Sequence, residues 1–130
     1  MISLGLGILL LQVERANYEP GQHISLISTR LKEAQEVARR ADDQKITSTE
    51  AANQIGKLLG ENRRNQAHLT TFVQSARRDQ SAIALRTIQL SGLFDAYLAS
   101  TLLGLDGDSQ AKELSVLLGA RLSRQLSRTS

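Results

Sequence analysis

Residues 48–103, STEAANQIGKLLGENRRNQAHLTTFVQSARRDQSAIALRTIQLSGLFDAYLASTLL, decide the fold of this chain. Stepping through them by alternating fours and threes collects Ile55, Leu59, Asn62, Gln66, Leu69, Val73, Ala76, Gln80, Ile83, Thr87, Leu90, Phe94, Tyr97 and Thr101. That is the spacing that keeps one face of a helix against a partner. No proline interrupts it, and the reading is one long helix of ~80 Å at 1.5 Å per residue. The seam is not purely apolar. Asn62, Gln66 and Gln80 stand where a simple core would place Leu or Ile, which either fixes register or marks a solvent-exposed stretch. Gly56 and Gly60 are the weak points, and a break over 60–65, with Gly60 after one helix and Asn65 capping the next, is the alternative to continuity.

Outward from this stretch, the pattern stays helical. Asn17-Tyr18-Glu19-Pro20-Gly21 is the clearest punctuation, with Pro20 suited to a turn or to the first turn of a helix. Residues 22–44 then carry Ile24, Ile27, Leu31, Ala34, Ala38 and Ala41 at heptad spacing. Bulk at one end and alanine at the other suit an antiparallel neighbour. Thr47-Ser-Thr-Glu50 is a capping box, and the short link before it favours a hairpin between 22–44 and the first half of the long helix. Gly104 to Ser109 stops the long helix. Helix 109–127 follows, with Leu114, Leu117, Leu118, Leu122 and Leu126 read as one side packed back on it. Arg121, Arg124 and Arg128 lie late in this helix, where cations complement the dipole. The expected fold is all-α, with antiparallel helical hairpins around one long central helix. Its parts are an apolar segment 1–16, a hairpin with the central helix over 17–105, and an amphipathic helix over 106–130.

Composition agrees. The chain has 130 residues, one Pro, two Phe, two Tyr, no Trp and no Cys. A core must therefore come from Leu, Ile, Val and Ala, and neither disulfides nor thiolate metal sites exist. The net charge is +3, and twelve of the 16 basic residues are Arg. Arginine favours planar, bidentate partners such as carboxylates and phosphates, although a GC-rich genome produces the same skew.

Two stretches are apolar enough to raise a membrane. Residues 2–13, ISLGLGILLLQV, would extend ~18 Å as a helix, short of a ~30 Å hydrocarbon layer. They have no basic n-region or small-residue cleavage site of a signal peptide. Residues 87–105 are long enough to span, but Asp95 at a bilayer centre would cost roughly 3 kcal/mol. The preferred reading is a helix buried on most sides of a bundle or oligomer, with Asp95 facing an arginine or the rim.

The chemistry of a catalytic or metal site is missing from the spacing. His23 and His68 have no Glu-x-x-His context, and Asp106-Gly-Asp108 reads as a helix cap rather than a calcium loop. Asp42-Asp43 is the one adjacent carboxylate pair beside a helix end. No nucleophile–base pairing or phosphate-binding glycine fingerprint occurs. No cofactor is expected. The Arg doublets Arg39-Arg40, Arg63-Arg64 and Arg77-Arg78 follow seam positions, the latter two on one helical face ~21 Å apart. They could meet phosphates, or carboxylates within the assembly. No aromatics interleave for base stacking, so nucleic acid is a disfavoured partner.

These readings converge on a non-enzymatic structural or assembly protein that self-associates or docks into a larger complex. The surface expected to mediate this is Ile83, Ile88, Leu90, Leu93, Phe94, Tyr97, Leu98 and Leu102. One face of it meets helix 109–127, and the rest is left for neighbouring subunits or lipid. The alternative is a membrane-anchored or membrane-active protein using 2–13 and 87–105 against anionic lipid. An electrostatic nucleic-acid binder is the weaker third. A cytoplasmic setting, a membrane-associated assembly and a virion-like one all fit, and the heptads and cap are too generic to point to a family.

Overall fold

The structure, a computed structural model, describes residues 20–75 and 78–129. The apolar segment 1–16, seam residue Ala76 and Arg77 lie outside the described residues, as do the side-chain surroundings of Arg78. Among the described residues the chain forms α1 (Pro20–Asp42), α2 (Ser48–Ser75), α3 (Arg78–Leu105) and α4 (Ser109–Thr129). The all-helical expectation holds, and the helices pack on one another as a bundle.

Local sequence accounts for the helix ends. Pro20 opens α1, where its missing N–H costs nothing and its fixed φ suits the helix. At the other end of α1 the Gln44 N–H donates to the Ala41 carbonyl at 3.0 Å and the Lys45 N–H to the Arg40 carbonyl at 2.8 Å. That bond pair defines a Schellman turn, which requires a left-handed residue between them. Gln44 supplies it at φ 59°, where glycine is the usual choice. The same turn recurs after α3. The Gly107 N–H donates to Gly104 and the Asp108 N–H to Leu103, both at 3.1 Å, with Gly107 at φ 107°. Caps follow each turn. The Thr47 hydroxyl accepts from the Glu50 N–H at 3.0 Å, and the Asp108 carboxylate from the Ala111 N–H at 3.0 Å.

The long central helix is corrected. Asn62 and Ser91 are 29 residues apart and hydrogen-bonded at 3.0 Å. Along one straight helix they would stand ~44 Å apart. They sit thirteen residues from Ser75 and from Arg78 respectively, so α2 and α3 run in opposite directions, side by side. The alternative break over 60–65 is absent, since α2 continues through Gly56 and Gly60. Arg30 of α1 binds Glu61 of α2 at 2.8 Å, each about equally far from the link that joins those helices.

α3 touches all three other helices. This follows from its sequence, which is apolar around most of its circumference and so has no face to give entirely to water. Ile27 and Leu31 of α1, Ile55 of α2, Leu90, Phe94 and Leu98 of α3, and Leu122 of α4 form the centre of the core. Burying each such side chain contributes about 1.5–3 kcal/mol.

α3 and α4 approach closely at two glycines. A Cβ placed on Gly104 would lie 3.0 Å from the Lys112 Cα, and one on Gly119 would lie 3.0 Å from the Tyr97 ring. Only glycine lets the backbone of α3 come this near to α4. The Lys112 ammonium then reaches the Asp42 carboxylate at 2.8 Å, tying α4 to the end of α1.

Candidate interaction surface

Eight residues of 83–105 were expected to form a surface shared between helix 109–127 and a partner, and the bundle itself covers most of them. Leu90, Phe94, Tyr97 and Leu98 are buried in the chain's own core, while Leu93 and Leu102 are half-buried against it. Ile88 is half-buried, and Ile83 alone is exposed, at 43%. The physical reason lies in the reversal after α2. It brings α2 and α1 over faces that a straight helix would have left to other subunits.

The polar seam residues separate. Asn62 is 3% exposed and faces Ser91. Its Nδ2 donates to the Ser91 carbonyl at 3.0 Å, and the Ser91 hydroxyl donates to its Oδ1 at 3.2 Å. A buried amide is thus satisfied by a two-way clasp between α2 and α3. Gln66 and Gln80 are half-buried, and the Gln66 carbonyl accepts from the Thr70 hydroxyl at 2.9 Å. Thr87 and Thr101 of the same seam turn back on their own helix, donating to Ile83 at 2.7 Å and to Tyr97 at 2.8 Å.

Of the arginine doublets, Arg39-Arg40 and Arg63-Arg64 fall among the residues whose side chains are described. Arg63 binds Asp95 of α3 at 2.9 Å, and this hydrogen bond, with the Coulombic attraction behind it, holds the guanidinium above its ordinary pKa. Asp95 therefore has the arginine partner expected for it. Arg39 is held between Glu36 on its own helix and Asp43 in the turn that follows, at 2.5 and 2.8 Å. Arg40 and Arg64 are exposed. Two of the doublets thus each give one guanidinium to a carboxylate of the chain itself.

His23 is buried beside Ile27, Arg30, Glu61, Asn62 and Phe94. Burial lowers its pKa to about 4. Because the folded value lies below the unfolded one, the neutral ring favours the fold. That contribution is complete above about pH 6.5 and is lost as the pH falls through 4. Among the described residues, no three His, Asp or Glu side chains gather as a metal site. A cavity of about 380 Å³ opens between the end of α1, α3 and α4, lined by small residues such as Ala38, Ala41, Gly104, Ser115 and Gly119.

The feature that sequence reasoning missed is on α4. Its inward stripe is Ala111, Ser115, Leu118, Gly119, Leu122 and Leu126. Leu114 and Leu117, assigned by the sequence to that same side, instead point out, 48% and 67% exposed. Leu103 of α3 is 55% exposed. Leu114 stands eleven residues, three turns, from Gln125, whose side chain accepts a hydrogen bond from Arg86 of α3. The Leu114 flank of α4 therefore borders α3. From Leu114 the leucines recur at steps of three and four, the spacing of a single face, so the sequence did not separate the two stripes.

No family model, curated protein or solved structure matches the chain.

Proposed function

We propose that this chain is a non-enzymatic assembly module, a helical bundle that self-associates through the outward apolar face of α3 and α4. The observation that carries the reading is the second apolar face of α4. An amphipathic helix packed in a bundle needs one apolar stripe, and α4 has that stripe inward. Leu114 and Leu117 add a further one facing water, and Leu103 of α3 is exposed as well. Large apolar side chains grouped on an otherwise polar helix surface mark a protein contact. In this reading α1–α2 and α3–α4 act as antiparallel hairpins that hold the face rigid, and the Asn62–Ser91 clasp sets their register.

The test is the mass of the full chain in solution by light scattering at tens of micromolar. A defined oligomer is expected, and the double variant Leu114→Glu, Leu117→Glu should be monomeric with its helical circular dichroism intact. A monomeric unaltered chain overturns the proposal.

A second reading rests on α3. Residues 80–105 are long and apolar enough to cross a membrane, with 39% of the most apolar window buried inside the bundle. A soluble bundle's core helix has the same character. Flotation with anionic vesicles separates the two, and absence of co-flotation removes the membrane reading.

A further inference from the structure

The outward face of α4 has an internal symmetry. Gln110, Glu113, Leu117, Arg121 and Arg124 are all exposed and succeed one another at steps of three, four, four and three. Steps of three and four stay on one face of a helix. The order is therefore palindromic about Leu117 in spacing, and opposite in chemistry. Acid and amide lie on the N-terminal side, and two guanidinium groups lie on the C-terminal side.

A helix of this kind fits an antiparallel copy of itself. We infer that the partner of this face is a second copy of the chain, docked α4 against α4 across a two-fold axis at Leu117. This geometry rests on the self-association proposed above and specifies it. With Leu117 on the axis, Glu113 of each protomer stands opposite Arg121 of the other, ~6 Å along the helix from the axis. Gln110 stands opposite Arg124. The contact is isologous, so each pairing occurs twice. A parallel arrangement would set Glu113 against Glu113 and Arg121 against Arg121, and like-charge juxtaposition disfavours it. The two Leu117 side chains, the most exposed large apolar groups of α4 together with Val116, meet at the centre. Leu114 and Leu103 widen the strip towards α3. Val116 lies on the other flank, where it lines the cavity between α4 and α1.

The charged rim makes the geometry testable by exchange. Glu113→Arg places a second guanidinium against Arg121 twice in a homodimer, and Arg121→Glu places two carboxylates together twice. Each variant alone should dissociate at about tenfold higher concentration or more than the unaltered chain in analytical ultracentrifugation. An equimolar mixture restores opposite charges at both pairings, and should form a heterodimer near the original strength. Circular dichroism melting of each variant checks that these exposed substitutions leave the fold unchanged. Single variants that dimerise like the unaltered chain, or a mixture that does not recover, overturn the α4–α4 geometry. If the swaps have no effect while Leu103→Glu abolishes the dimer, self-association through the α3–α4 face stands and this geometry fails. If the unaltered chain is monomeric, both fail.

Discussion

α3 meets α2 and α4 by different means. Towards α2 it presents polar atoms. Asn62 and Ser91 exchange two hydrogen bonds in the core, and Arg63 closes on Asp95 at its edge. Towards α4 it presents the absence of a side chain, with Gly104 against the Lys112 backbone and Gly119 of α4 against Tyr97. The first contact is specified by partners that must find one another, because a shift along the helix would leave buried polar atoms unpaired. The second is specified by shape, because only one alignment puts each glycine opposite its bulk. A polar contact is directional and a close contact is intolerant of volume, so the two should break differently.

The largest effect is expected at the close contact. Gly104→Val adds a branched side chain where even a Cβ would be 3.0 Å from backbone. Backbone cannot swing aside as a side-chain tip can, so α4 must move outward. A loss of about 3 kcal/mol is expected in urea unfolding, with the Lys112–Asp42 bridge lost as well. Unchanged stability would mean that α3 and α4 are not held this near.

The polar contact comes next. Asn62→Ala leaves the buried Ser91 hydroxyl without its acceptor and opens a small void, a loss of about 2 kcal/mol. Ser91→Ala should cost less, and the double variant less than the sum of the two, because each removes the other's partner. Additive losses in the same unfolding experiment would show that the clasp is not a coupled pair.

How far each contact was legible differs in the same way. Heptad spacing marked most of the seam, since Leu59, Asn62, Leu69, Leu90 and Phe94 are buried, while Gln66, Val73 and Gln80 are half-buried and Ile83 is exposed. It is blind to direction, however. A straight helix and two antiparallel halves carry the same periodicity, and SARRDQ over 75–80 contains no glycine or proline to announce a reversal. Size held the missing clue. A compact chain of this length has a radius of gyration of roughly 14 Å, which a helix of ~80 Å cannot share. The need for an arginine at Asp95 was legible, because a lone acid in an apolar stretch requires a counter-charge. The close approach at Gly104 and Gly119 was not, since each reads locally as a helix end or a weak point. Five leucines in α4 read as one side when faces cannot be counted against neighbours, and so the outward face of Leu114 and Leu117 emerged only from the packing.

The smallest effect should come from the edge of the polar contact. Arg63 pairs with Asp95 at 2.9 Å, but its side chain is 60% exposed, so water and salt compete for both charges. Arg63→Ala should move the unfolding midpoint little, and raising the salt should shrink even that difference, whereas the Asn62 loss should persist because the clasp is buried. The contrast separates two roles for the arginine. As a strut between α2 and α3 it leaves its mark on stability alone. As a contact for phosphates, Arg63→Gln together with Arg64→Gln would weaken retention on heparin well beyond the loss of two charges elsewhere, as at Lys45 and Arg128. Equal retention for the two pairs is the expected result, because Asp95 already neutralises the one guanidinium that α2 holds against α3.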